Sequence, residues 1–356
     1  MSDITVGVTG LNAVDSPGPG VPVLRSLKES GLDLRLVGLA YDVLDPGNFM
    51  QELLDASYII PYPSSGEQAL LERLEMIQQK EKFNVLLPTL DSELENFIAI
   101  KDRLVEMKVD TFLPQPASLR MRDKTLLEEH LGASLVKLPE TYVLQDVSAL
   151  RELAGQLDFP LYMKGRFYDA YLAQSIDEAV GYFYRIASSW GLPTLAQQSI
   201  KGEECNVAAL SAGGKMLGAV AMKKLYLTDK GKGWAGVTIK NEQILELSAK
   251  ILNHLNWDGG CELEFIIEEK TREIYLLEMN PRFPAWVYLA TRAGINLPAM
   301  CLQLAIDSNS GAGLRPAQQA KTDYEVGTVF VRHSWDEIVP MQTIDSLSTS
   351  GQVQYR

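Results

Sequence analysis

The sequence predicts an α/β protein, with an N-terminal doubly wound parallel sheet followed by a two-lobed α+β region. Three observations point there. Over residues 3–112 short apolar runs alternate with segments of helical period, the pattern of a parallel sheet. Pro114 and Pro116 then break that pattern. Beyond them long strand-like runs follow one another with few helices between, which predicts largely antiparallel pairing. A chain of 356 residues has room for more than one lobe. The expected segments are 1–114, 115–190, 191–320 and a C-terminal extension, 321–356.

Taken in order, the N-terminal strands are ITVGVTG, LRLVGLA, ASYII, NVLLP and DTFLP, with helices over 22–30 and 67–80 between them. Gly10, Gly18 and Gly20 lie between the first strand and a helix, but not in the GxGxxG spacing, so a loop needing glycine dihedrals is the favoured reading. PTLDSEL follows a strand, and open parallel sheets bind ligands outside the carboxyl ends of their strands. Asp91 and Glu93 are therefore candidate contacts for a substrate amine. Asp91 also suits the N-cap of a helix over 92–107, and that reading takes precedence. The second region opens with a helix over 117–131, then the strand FPLYMKG and a helix over 176–188. The strands TLAQQSI, ECNVAALSA, KMLGAVAMKKLYL, CELEFIIEE and REIYLLEMN come next. In the tail, YEVGTVFVRHSW reads as an edge strand added to the large lobe.

Composition narrows the partners. A net charge of −13 argues against nucleic acid, whose phosphates need clustered Lys and Arg. Three scattered cysteines without CxxC spacing read as reduced thiols. The N-terminal run lacks the pattern of a signal peptide, and no apolar run is long enough to span a bilayer, so a soluble cytoplasmic protein is expected. His130, His254 and His333 form no evident pair with a Ser or Cys nucleophile and read as structural or solvent-facing.

The chemistry concentrates in CELEFIIEEKTREIYLLEMNPRF, residues 261–283. A hairpin turning near Lys270 and Thr271 sets Glu264 close to Glu278. Strand alternation puts Glu262 with Glu264, and Glu278 with Asn280, each on one face. Two carboxylates and an amide oxygen at a strand end make a hard-oxygen site of the kind Mg²⁺ prefers when phosphate completes its octahedron. Exposed acids on hairpins are usually a solvated face, which fits Glu268, Glu269 and Glu273. It does not fit Glu278, set between apolar YLL and Met279, where a lone carboxylate would be costly.

LLEMNPR resembles the E-x-N-P-R signature of ATP-grasp enzymes, nearest the branch of carbamoyl phosphate synthetase and biotin carboxylase. The resemblance implies that Glu264, Glu278 and Asn280 hold two Mg²⁺ ions, with Mn²⁺ as a substitute, and that Arg282 is the catalytic residue facing the transferred phosphoryl group. MRDKTLLEEHL resembles the start of the family's small lobe, which makes Lys124 a contact for ATP phosphates, and FPLYMKG implies the same for Lys164. QQSIKGEE resembles the interlobe hinge, so Gln197, Gln198 and Ile200 would line the adenine slot and Glu204 would take the ribose hydroxyls. Each fragment is weak alone; their order along one chain carries the match. The sequence departs from the family in two places. KGRFYDAYLAQ replaces a glycine-rich lid, and the hinge opens with Gln197, whose amide oxygen can still accept from adenine.

The resemblance implies an ATP-dependent carboxylate–amine ligase that works through an acyl phosphate. Its substrates would be small-molecule or peptide carboxylates and amines, and a homodimer is compatible with the sequence. The alternatives are a bicarbonate-phosphorylating enzyme of the carboxylase or carbamoyl-phosphate type, or a nucleotide-binding regulator. Specificity would reside in the N-terminal loops, in residues 167–171 and after the signature, where Trp286 and Tyr288 are candidates for an acceptor pocket, one of them more readily core.

Overall fold

A computed structural model describes residues 4–14, 17–155, 158–166, 169–227, 233–309 and 320–355. Strands β1 (Ile4–Thr9), β2 (Leu34–Ala40), β3 (Ala56–Ile59) and β4 (Val85–Leu87) pair in parallel in the order β3-β2-β1-β4. Alternation explains how this sheet is covered on both faces. Val37 and Leu39 of β2 join a core with Leu70 and Leu74 of helix Gly66–Glu81. Leu36, on the opposite face, joins Val23, Leu24 and Leu27 of helix Gly20–Lys28. The doubly wound arrangement expected from the sequence is what the chain adopts. Gly10 takes φ +71°, and a Cβ on Gly20 would meet the Thr9 carbonyl oxygen at 2.1 Å. Those glycines serve the strand-to-helix turn itself.

Two further sheets follow. β5 (Thr141–Leu144), β6 (Leu161–Gly165), β7 (Ala170–Ala173) and β8 (Thr194–Gln198) form an antiparallel sheet in the order β5-β8-β6-β7. Its core is its own: Leu150, Leu161, Met163, Phe183 and Ile186 cluster apart from the rest of the molecule. β9 (Gly202–Ala212), β10 (Lys215–Leu227), β11 (Gly233–Ile239), β12 (Gly259–Glu268), β13 (Ile274–Asn280) and β14 (Val329–Val331) form the large sheet, in the order β13-β12-β9-β10-β11-β14. One face of it shares a continuous core with the N-terminal sheet, where Val207 and Leu263 belong with Val37 and Leu74.

Several expectations need correction. DTFLP contributes only an isolated bridge from Asp110 to Val85, because Pro114 and Pro116 lack the N–H groups a ladder needs. The helix expected over 92–107 is two short helices, Leu94–Ala99 and Lys101–Glu106, and the one expected over 117–131 divides into Pro116–Met121 and Leu127–Leu135. Only part of the C-terminal tail joins the large sheet. β14 does so beside β11, whereas β15 (Gln352–Gln354) runs back to pair antiparallel with β3. Arg73 holds that return, donating to the carbonyls of Ile59 and Gly351 at 2.9 and 2.7 Å. Cys205, Cys261 and Cys301 are buried free thiols. Among the described residues no helix is long and apolar enough to cross a membrane.

Candidate active site

The site is built on the β12–β13 hairpin. Glu262 pairs with Asn280 and Glu264 with Glu278, as the turn position predicts, but the pairing holds only because of a bulge. Beyond Glu264 the register shifts, so that Phe265 faces Leu276 and Leu277 is the extra residue. Continuing the Phe265–Leu276 register without the bulge would set Glu278 against buried Leu263, on the core face. The bulge therefore carries Glu278 to the side of Glu264 and turns Leu277 into the neighbouring cleft. A stride of two along β9 puts Glu204 and Asn206 on this same face, and Asn206 pairs with Glu264.

Cations thread the acidic face. Lys124 Nζ lies 2.5 Å from Glu278. Lys224 Nζ lies 2.8 Å from Glu204 and 3.0 Å from Glu264. Burial favours the neutral carboxyl at Glu278, yet Lys124 and Lys164 override it and hold the group well below the usual carboxylate range. At Glu264 burial wins over Lys224, with Glu262 and Glu278 adding repulsion, and its pKa rises. For Lys224 burial is outweighed by Glu264 and Glu204, and its pKa rises. Lys164 makes no salt bridge among the described residues, and burial lowers it to about 8 despite the pull of Glu278.

Glu262 is the hub of this arrangement, and the sequence reading gave it no role. It is 5% exposed. One oxygen accepts from Asn206 Nδ2 and Trp286 Nε1, each at 2.7 Å, and the other from Asn280 Nδ2 at 3.2 Å and Arg282 at 3.3 Å. Asn280 also turns its amide nitrogen toward Glu264 and Glu278, at 3.1 and 3.4 Å. Arg282 Nε reaches Asp91 at 2.9 Å, and Arg122 stands 3.9 Å from the same carboxylate. Asp91 thus answers two guanidinium groups, and the capping role preferred for it does not hold. Glu93 is corrected as well, because it is fully buried and out of a substrate's reach. It accepts from the hydroxyls of Thr9 and Tyr41 and from the Thr89 and Leu90 N–H groups at 2.6 and 2.8 Å, closing the end of the parallel sheet. Trp286 is core, and Tyr288 bonds Glu29 under Arg25, so neither lines an acceptor pocket.

The small lobe brings a second set of residues to the opposite wall. Alternation in β6 buries Leu161 and Met163 in the lobe's core and turns Tyr162 and Lys164 outward. A narrow cleft of about 40 Å³ lies there, where Lys124, Lys164 and Gln197 meet Leu195, Leu276 and Leu277. Gln197 donates to the Thr141 hydroxyl at 3.0 Å. The Gln198 N–H is held by the Glu140 carbonyl at 2.8 Å, which ties this residue of the hinge to β5. Gln198, half-buried Ile200 and Glu204 lie outside the cleft lining, with Glu204 held by Lys224. Of residues 167–171, Phe167 and Tyr168 lie outside the described residues. Among the described residues no three His, Cys, Asp or Glu side chains gather as a metal site by themselves.

Residues 192–329 match a family model described as "ATP-grasp in the biosynthetic pathway with Ter operon". A D-alanine–D-alanine ligase of Rickettsia felis is 36% identical over 104 residues, 26% of this chain and 32% of that protein. The chain thus spans about a third of the length of the curated relatives it matches there. In fold it is similar to a biotin carboxylase of Campylobacter jejuni, solved as a β-γ-ATP complex, with TM-score 0.67, 14% identity, 85% of this chain and 70% of that one covered. It is also similar to an L-amino acid ligase of Bacillus licheniformis, with TM-score 0.65 and 16% identity over 89% of this chain and 78% of the other. The E-x-N-P-R run at the end of β13 lies within residues 192–329, the stretch that matches the ATP-grasp family model, and the fold of the chain as a whole is similar to those two solved structures.

Proposed function

We propose that this chain is an ATP-dependent carboxylate–amine ligase, forming an amide or peptide bond through an acyl phosphate and releasing ADP and phosphate. One observation carries the reading. Glu264, Glu278, Asn280 and Arg282 share one end of a hairpin, and Lys124 and Lys164 reach the same place from the small lobe. The donor set suits Mg²⁺, with Mn²⁺ as a substitute: carboxylates, an amide, and the buried Asn206 Oδ1, which has no hydrogen-bond partner among the described residues. Bound there, the ion would neutralise phosphate charge and orient the oxygens. Ligation through Asn280 takes a half-turn of its amide, since its nitrogen now faces the acids.

Each side chain has a task that follows from its chemistry. Lys124 and Lys164 would meet phosphate oxygens, and the lowered affinity of Lys164 for its proton makes it responsive to that negative charge. Gln197, Gln198 and Ile200 would frame adenine, and Glu204 would take the ribose once Lys224 turns away. Arg282, a permanent cation with forked donors, would neutralise the equatorial oxygens during transfer and then the acyl phosphate. A carboxylate is a poor electrophile until phosphorylated, and a closed cleft keeps water from the activated carbonyl. Cofactor pockets commonly run to about 300–1,000 Å³, so a 40 Å³ cleft must open before a nucleotide enters. The separate core of the small lobe supports such a movement.

The test is phosphate release from ATP with panels of amino acids, short peptides and bicarbonate. Release that needs a carboxylate together with an amine supports the ligase. Release with bicarbonate alone moves the assignment to the carboxylase-type reaction, and none with any panel member defeats both.

A further inference from the structure

A second cavity, of about 490 Å³, opens at the carboxyl ends of the parallel strands. Its wall takes Gly10 and Asn12 from beyond β1, Tyr41, Asp42 and Asp45 from beyond β2, and Tyr62 from beyond β3. That is where an open parallel sheet presents ligand sites, and the volume suits a small molecule. Two features of the wall select the ligand's chemistry. The Tyr41 and Tyr62 rings stack at 5.8 Å between centroids and 26° between planes, and Tyr62 is 53% exposed, leaving aromatic surface free. Asp42 and Asp45 stand together, and among the described residues neither has a salt-bridge partner. Asp45 is 8% exposed and accepts the Asp42 N–H at 3.3 Å; burial raises its pKa, against the backbone N–H groups of Asp42 and Tyr41, which lower it.

We propose that this cavity seats an organic cation, a guanidinium or primary ammonium at the far end of the substrate, held by Asp42 and Asp45 against the tyrosine faces. Aromatic faces and carboxylates together favour a cation over a neutral or anionic group. The connection to the reaction centre is covalent and short. Leu90 and Ser92 line the cavity, and between them Asp91 contacts Arg282 at 2.9 Å. A substrate anchored in the cavity presents its other end toward that guanidinium, so remote binding orients the reacting group. The word substrate rests on the ligase reading; the cation seat does not.

Direct binding to the full chain without nucleotide tests it, by calorimetry with L-arginine and L-lysine against the neutral analogues L-citrulline and L-norleucine. The expected result is that a cationic amino acid binds at least about tenfold more tightly than its neutral partner. Asp42→Asn, at an exposed position, should erase that preference, and Tyr62→Leu should weaken binding several-fold, both with MgATP affinity unchanged. Equal binding of charged and neutral analogues, no binding of any of the four, or an unaltered preference in Asp42→Asn overturns the proposal. MgATP binding and stimulated phosphate release with an indifferent cavity would leave the ligase reading standing; cation binding without either would sink that reading and keep this one.

Discussion

Glu262→Gln is the substitution that most directly tests how the site is held. The side chain is nearly isosteric, so the fold has no steric reason to change. Four donors converge on the carboxylate, two on each oxygen, from Asn206, Trp286, Asn280 and Arg282. Glutamine has one oxygen to offer. Whichever way its amide turns, two donors keep an acceptor and the other two meet an NH₂ group. A buried donor left without a partner costs about 1–3 kcal/mol. Arg282 keeps Asp91 and is 22% exposed, so its loss belongs at the low end. A total near 3 kcal/mol is therefore expected in stability. Catalysis should fall too, because Arg282 and Asn280 lose the group that fixes them; at least about tenfold at saturating MgATP corresponds to 1.4 kcal/mol. Urea unfolding and single-turnover phosphate release measure the two effects, with Trp286→Phe, which removes one bond and about 1 kcal/mol, as the comparison. A Glu262→Gln protein that unfolds at the same urea concentration and keeps its rate within about twofold would refute the reasoning.

Other perturbations separate the remaining roles. Arg282→Lys keeps charge but loses the fork, and should lower the saturating rate at least about tenfold with little change in ATP affinity; a normal rate removes Arg282 from the chemical step. Lys164→Ala should weaken ATP binding or turnover strongly while Lys270→Ala, in the exposed hairpin turn, does almost nothing; equal small effects would mean that the small lobe is wrongly aligned. Lys164 is lowered to about 8 from an ordinary 10.5, so between those values the unfolded chain holds more protons and this group adds stability as pH rises. Phosphate nearby should restore the proton, making ATP binding near pH 8–9 a proton uptake; identical calorimetric enthalpies in buffers of different ionisation heat would contradict it. Deleting Leu277 removes the extra residue and leaves Glu278 directly after Leu276, still opposite Glu264, so the carboxylate should keep its side and turnover should survive; a folded but inactive deletion variant would show that the bulge itself is needed.

The sequence made the hairpin legible because its alternation is local. Glu264 and Glu278 can be paired by counting from the turn, although the Leu277 bulge that makes the count true cannot be seen there. Lys224 and Glu262 were missed for a different reason. Each looks like an ordinary strand charge until β9, β10 and β12 lie side by side, and a stride of two on all three strands would have put Glu204, Asn206, Lys224, Glu262 and Glu264 on one face. Glu93 misled because its partners come from other strands: Thr9 is the last residue of β1 and Tyr41 follows β2. A carboxylate at a strand end looks the same whether it faces solvent or closes a sheet. The return of β15 to β3 was likewise invisible, since three residues, QVQ, carry no period that names a distant partner.

That return changes how the chain is strung. Because β15 docks on β3, with two strands between it and β1, the first and last described strands share one sheet, and the backbone between them runs out through the large sheet and returns. The four-stranded lobe is an excursion from that path, joined by the segments that enter before Thr141 and leave after Gln198, with a core that shares no residue with the others. Such an appendage can loosen as a unit while the rest stays intact, so amides in β5–β8 are placed to exchange through a smaller opening than those of β9 and β12.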